Sequence, residues 1–149
     1  MPDFLEVIVD KFTFKVATDR LYTRAGTWVL READRVRIGL SDFLQQRSGD
    51  IAFAEVKPVG TELAIGDEVA AIETIKVNVA LGSPVNGKIV EVNSNMELKP
   101  EAINQDPYGA GWLALMVASD WEADRAQLLD AQAYFVVIKA EAEEEAKKP

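Results

Sequence analysis

The sequence contains neither cysteine nor histidine. The first absence excludes disulfides and thiolate nucleophiles, and the two together exclude Cys/His zinc sites. The second removes the commonest general base at neutral pH. The acids that remain are scattered, with no pair that reads as a carboxylate catalytic site. Redox or sulfur chemistry would therefore need a prosthetic group to bring the reactive atoms. Long apolar runs are also missing. The longest near the end, Ala133 to Ile138, is far too short to cross a bilayer. The N-terminus, beginning Met1-Pro2-Asp3-Phe4-Leu5, has no basic patch ahead of an apolar stretch. A cytoplasmic location without a membrane role is expected. Positive charge is scarce as well: 16 Lys and Arg against 25 Asp and Glu leave a net charge of −9. That balance argues against nucleic acid as a partner, because phosphate binding needs clustered cations.

What is present is the composition of one ordinary globular domain, 48% hydrophobic and 28% charged over 149 residues. Loose alternation through Phe12, Phe14 and Val16 predicts an added strand or arm. Residues 27–31 and 35–40 read as a hairpin around Glu32-Ala33-Asp34. Ser41 and Asp42 are placed to cap a short helix through Arg47, stopped by Gly49. Strands are predicted over 51–56, 69–74, 77–80 and 88–92, punctuated by turns at 57–60, 66–67 and 83–87. Strands this short, with turn residues every eight to twelve positions, fit a small sandwich or flattened barrel. Beyond the short helix at 42–47, helix is expected only around residues 100–104 and near the end. Ser119 to Glu122 reads as a capping box with Ser119 as the cap. Asp130 is expected to cap a helix with Ala131, Tyr134, Phe135 and Ile138 on one face, ahead of a solvated charged tail from Glu141 to Lys148.

The stretch that carries chemistry runs from Gly66-Asp67 through Glu73-Thr74-Ile75-Lys76-Val77 to Ser83-Pro84-Val85-Asn86-Gly87. It reads as a strand ending in a lysine, a tight reversal, a second strand, and a Pro/Gly turn feeding a third. A lysine at such a tip projects away from the barrel, where a modifying enzyme can reach it. These residues resemble the lipoyl-domain superfamily, with its Gly-Asp, Glu-Thr/Ser-x-Lys and Ser-Pro-x-x-Gly pattern. Biotin carriers share that fold but flank their lysine with Met, whereas Ile75 and Val77 flank this one.

The resemblance narrows to the H protein of the glycine cleavage system. Trp28-Val29, Ile38-Gly39-Leu40-Ser41-Asp42, Gly49 to Val56, Ile103 to Leu113 and Leu128 to Tyr134 each match a motif of that family, in order. It implies a mainly β fold, a hybrid β-barrel-sandwich of the lipoyl-domain hammerhead type, with short flanking helices at the C-terminus. It implies an N-terminal extension over 1–20, an H-protein-like lipoyl-binding domain over 21–118 with a lipoyl core at about 35–117, and C-terminal helices and tail over 119–149. It also implies covalent lipoate on Lys76, attached by lipoate ligase or other lipoylation machinery, in a carrier that is a substrate of partner enzymes and not itself an enzyme.

Within the family the chain departs at four places. Gly26-Thr27 stands where H proteins place His-Glu, Phe43 where they often have His, and Ala80 where they have Asp. A cleft stripped of acids cannot pair with the aminomethyl cation of glycine cleavage, and an unpaired buried charge costs several kcal/mol. This pattern resembles the H-protein-like lipoate-binding proteins of heterodisulfide-reductase-like sulfur oxidation. The expected role is accordingly a sulfur carrier whose partners are a heterodisulfide-reductase-like complex or sulfurtransferases. The alternative is glycine cleavage itself, with glycine decarboxylase, aminomethyltransferase and dihydrolipoamide dehydrogenase as partners.

Overall fold

The computed structural model describes residues 3–148. Met1, Pro2 and Pro149, at the ends of the expected extension and tail, lie outside the described residues. The N-terminal segment is a hairpin, β1 (Phe4–Val9) and β2 (Phe12–Ala17), closed by Asp10 and Lys11 with Val9 opposite Phe12. Its inward side presents Val7, Phe14 and Val16.

The body is built from two sheets. β3 (Leu21–Tyr22), β4 (Thr27–Glu32), β5 (Arg35–Leu40), β7 (Glu62–Leu63), β10 (Gly87–Val92) and β11 (Ala114–Ala118) form a six-stranded sheet in the order β3-β4-β5-β11-β10-β7. β6 (Ile51–Val56), β8 (Glu68–Thr74) and β9 (Asn78–Gly82) form a three-stranded antiparallel sheet in the order β6-β8-β9. Along β8 the side chains of Ala70, Ile72 and Thr74 turn inward while Ala71 and Glu73 face solvent, the period-two alternation of a half-buried strand. Ile38, Leu40, Ile89 and Met116 from the larger sheet meet Val69, Ile72 and Leu81 from the smaller in one core. That arrangement, mainly β with helices at the C-terminal side, is the barrel-sandwich expected from the sequence.

Helix α1 (Asp42–Ser48) is capped as its residues dictate: Ser41 Oγ accepts from Leu44 N at 3.2 Å, and Gly49 ends the helix at φ +93. Two short helices, α2 (Asn95–Leu98) and α3 (Ala102–Gln105), precede β11. The helix α4 (Trp121–Arg125) is capped by Asp120, whose side chain accepts from Ala123 N, and not by Ser119. Ser119 Oγ instead donates to Asn86 O at 3.2 Å. Asp130 caps α5 (Ala131–Ala146) through Ala133 N at 2.8 Å. The expected solvated tail is largely the end of this 16-residue helix. Ala142 is buried, and Glu141 and Glu145 both pair with Arg47 of α1, which draws the acidic end onto the molecule.

A second apolar cluster joins the hairpin to the body. Val7, Phe14 and Val16 pack with Tyr22, Trp28, Phe43, Tyr134 and Ile138. Polar bonds fix the hairpin's register there: Lys15 N donates to Asp42 at 2.9 Å, and Tyr108 Oη donates to Lys15 O at 2.6 Å. Trp28 lies opposite Gly39 in the β4–β5 register, its indole over the glycine Cα. The indole Nε1 donates to Pro107 O at 2.9 Å, so the ring is held on its far edge too.

All three tyrosines of the chain, Tyr22, Tyr108 and Tyr134, sit in or beside this cluster. Tyr22 and Tyr134 stack at 4.4 Å, and Tyr22 Oη donates to Ala17 O at 2.7 Å. Burial pushes every one of these phenols upward, Tyr108 to about 12. A folded value above the unfolded one, about 10, means full stability below pH ~10 and its loss as pH rises through the folded values. In an alkaline titration, tyrosinate absorbance is expected to stay flat until the fold is lost, then to rise together with the loss of circular dichroism. Tyrosinate forming near pH 10 in an intact fold would mean that a phenol is open to water.

Candidate functional site

Lys76 sits at the apex of the β8–β9 hairpin, in the reversal between Thr74 and Asn78 and not on the strand itself. Thr74 explains why. Its Oγ1 accepts from Lys76 N at 3.1 Å and Val77 N at 2.8 Å, and donates to Val77 O at 2.8 Å. One hydroxyl thus satisfies the backbone of the turn, as Ser and Thr do in side-chain-closed turns. Within the Glu-Thr-x-Lys spacing, the threonine stands where its hydroxyl reaches the main chain of the two residues at the apex. On either side, Ile75 is 79% exposed and Val77 43% exposed, so the apex is an apolar knob in water.

The apex rests on the loop after α1. Ile75 N donates to Asp50 O at 3.2 Å, and Lys76 Nζ donates to Arg47 O at 3.3 Å. That loop is clamped by Asn104, whose Oδ1 accepts from Ile51 N at 2.9 Å while its Nδ2 donates to Gln45 Oε1 at 3.0 Å and Gly49 O at 3.1 Å. Asn104 belongs to a motif legible in the sequence, but its work here was not. The contact spans more than fifty residues, and no local signal announces it.

Lys76 makes no ion pair among the described residues. An exposed primary amine whose one bond is to a backbone carbonyl fits amide formation: the resulting N–H keeps a donor for Arg47 O, and no buried charge loses a partner. Among the described residues no cluster of acids could hold a metal ion. No helix there is long and apolar enough to cross a membrane.

The four departures from the expected cleft do not share one place. Thr27 and Ala80 line the same hollow of about 300 Å³, with Thr23, Leu44, Val79 and Leu81 around them. Arg24 is the one charged residue of its lining, and no carboxylate joins it among the described residues. Gly26 lies behind it at φ +107, where an added Cβ would stand 2.9 Å from Leu44 Cβ and 3.3 Å from Tyr134 Oη. No histidine fits there without moving α1. Phe43 faces away, edge-on to Phe14 of the N-terminal hairpin at 5.0 Å and 78°. Its aromatic ring is the partner of the added hairpin, so this replacement belongs to packing and not to the stripping of one cleft.

A lysine raised on a side-chain-closed turn above a barrel-sandwich is the arrangement of a prosthetic-arm carrier. Residues 20–141 match the glycine cleavage H-protein family. The chain is 40% identical over 127 residues to the glycine cleavage system H protein of Thermus thermophilus, covering 85% of this chain and 98% of that one. It is 34% identical over 135 residues to a probable glycine cleavage system H protein 1 of Sulfolobus acidocaldarius, covering 91% and 96%. The crystal structure of a glycine cleavage system H protein from Mycobacterium marinum superposes with a TM-score of 0.70 at 31% identity, covering 80% of this chain and 95% of that one. The chain belongs to the glycine cleavage H-protein family, a family of lipoate carriers.

Proposed function

We propose that the chain carries a lipoyl group in amide linkage on Lys76 and works in the cytoplasm as the shuttle of glycine cleavage. On this reading it moves an aminomethyl cargo among glycine decarboxylase, aminomethyltransferase and dihydrolipoamide dehydrogenase, after loading by lipoate ligase or equivalent machinery. The observation that carries the reading is the apex geometry: Thr74 closes the turn, Asn104 clamps the loop beneath, and Lys76 is left as an accessible amine with one backbone acceptor. When bound, a lipoyl group supplies a strained ring disulfide that opens readily to nucleophiles. The chain's own part is to present the amine, hold its nitrogen against Arg47 O, and bring the tethered end to each partner at high effective concentration. Without His or Cys, the polypeptide contributes no imidazole base and no thiolate of its own. The relatives at 34–40% identity bear glycine cleavage names, which reverses the order of the two roles expected from sequence.

Sulfur carriage for a heterodisulfide-reductase-like complex or sulfurtransferases stays as the second reading on one observation, the hollow around Thr27 and Ala80 with Arg24 as its single charge. Glycine–bicarbonate exchange with glycine decarboxylase separates the two. The lipoylated chain is expected to support exchange and the unlipoylated chain none. Ala80→Asp, which puts a carboxylate at an exposed position of the hollow, should raise exchange by up to about tenfold, the scale of one hydrogen bond to a charged group, ~1.5 kcal/mol. Exchange at background from a chain of verified lipoyl content would overturn the glycine cleavage role and leave sulfur transfer as the account.

A further inference from the structure

Lys76 lines a second and larger depression, a groove of about 730 Å³ that shares Leu44 and Val79 with the hollow around Thr27 and Ala80. Its volume falls within the roughly 300–1,000 Å³ of small-molecule sites. The walls are unusual in origin. Val9, Phe12 and Phe14 come from the N-terminal hairpin, and Ala142 and Ala146 from the last turns of α5. The family match covers residues 20–141, so these five wall residues all lie outside it. Phe43, Leu44, Val77 and Val79 complete an apolar floor, and polar and charged side chains, among them Asp10, Arg47, Glu145 and Lys148, also line the groove.

We propose that this groove is the resting site of the arm attached to Lys76, a shelter that the N-terminal hairpin and the end of the last helix create. The inference depends on the lipoyl reading above and names where that group goes. Three observations support it. The point of attachment is itself part of the wall, so the occupant arrives tethered and association costs little beyond ordering the arm. Lys76 Nζ already points its bond at Arg47 O, and Arg47 lines the groove, so an amide at that nitrogen starts the arm along the wall. The chemistry also matches: a saturated acyl chain ending in a neutral dithiolane needs apolar walls and no counter-charge. Phe12 offers a ring that is 49% exposed, stacked on Phe14 and with the Lys11 ammonium 5.9 Å from its centroid.

The wall is braced for the purpose by ordinary forces. Arg47, held by Glu141 and Glu145, ties α1 to the end of α5, and its guanidinium lies 5.3 Å from the Phe43 ring centroid. On the opposite bank, Gln46 Nε2 donates to Thr13 O at 3.0 Å and holds the hairpin to α1. The hairpin thus has a role beyond covering α5: it forms the bank on which the arm's end rests.

The test compares arm accessibility in the full-length protein, with lipoyl content on Lys76 first verified by intact mass and peptide mapping. Reduction of the dithiolane by a water-soluble phosphine, which takes up the oxygen of one water as the disulfide becomes a dithiol, is followed by loss of the ring's near-ultraviolet absorbance. An arm docked about nine-tenths of the time should react about tenfold more slowly than free lipoamide. Methyl resonances of Val77, Val79 and Leu44 should shift on lipoylation. Phe12→Ser, which removes the exposed ring, and Ala146→Trp, which fills the groove from a solvent-facing helix position, should each restore the rate of free lipoamide while keeping the wild-type melting temperature. Two independent variants guard against one that fails to fold. A lipoylated wild type that reacts as fast as free lipoamide overturns the docking and leaves the lipoyl reading standing. Protection that survives both variants overturns it too, because the arm is then sheltered elsewhere. No lipoyl group on Lys76 overturns both readings together.

Discussion

Lys76→Arg is expected to leave the fold intact and the protein without function. The side chain is exposed, and its one bond, to Arg47 O, can be replaced by a guanidinium N–H, so stability should change by no more than about 0.5 kcal/mol. Arginine stays protonated and cannot form the amide that a lipoylating enzyme makes on an amine. Coexpression with such an enzyme should therefore raise the intact mass of the wild type by one lipoyl group and leave the variant unchanged. Glycine–bicarbonate exchange should fall to background in the same sample. Lipoate mapped to another lysine, or exchange retained by the variant, would remove Lys76 from the site altogether.

Gly39→Ala is expected to have the largest effect on stability. A Cβ at this position would stand 2.5–2.7 Å from three atoms of the Trp28 indole. The ring is hemmed in, because it is fully buried, its Nε1 is bonded to Pro107 O, and the Arg20 guanidinium lies 4.6 Å from its centroid. Overpacking of a held aromatic places the cost at about 3 kcal/mol or more, a fall in melting temperature on the order of 10 °C for a chain of this size. The damage should reach the site as well, since Pro107 lies two residues beyond the end of α3, the helix that carries Asn104. A melting temperature within about 2 °C of wild type would show that the indole has room the packing does not reveal.

Much of this was legible in the residues because the signals were local. Ser41 and Gly49 mark the ends of α1, Asp130 marks the start of α5, and the alternation in 51–56 and 88–92 marks β6 and β10 within a residue. The motif around Lys76 was equally local, since Thr74 acts on Lys76 and Val77, two and three residues on. Signals failed where a partner distant in sequence decides. β7 has two residues and α2 has four, too few for any period to register. Ser119 and Asp120 can both cap a helix, and Asn86, far away, claimed the serine. The run after Lys139 reads as a solvated tail because its acids find their cation, Arg47, only in three dimensions. The departures at Gly26, Thr27, Phe43 and Ala80 read as one altered cleft for the same reason. Only the fold separates the two that line it from the one behind it and the one facing the hairpin.

The two ends of the chain meet in the second apolar cluster, where Val7 and Phe14 lie against Tyr134 and Ile138 and Tyr22 exchanges backbone bonds of 2.8 Å with Leu129 in both directions. That closure sets an order of assembly during synthesis. Residues 4–17 leave the ribosome long before residues 131–146 exist, whereas the strands of the barrel-sandwich are complete once residue 118 has emerged. The barrel can close first, with the opening hairpin waiting uncovered beside it. A nascent chain stalled before Tyr134 would then present a finished barrel with Lys76 already raised at its hairpin tip, and no α5 to close the second cluster.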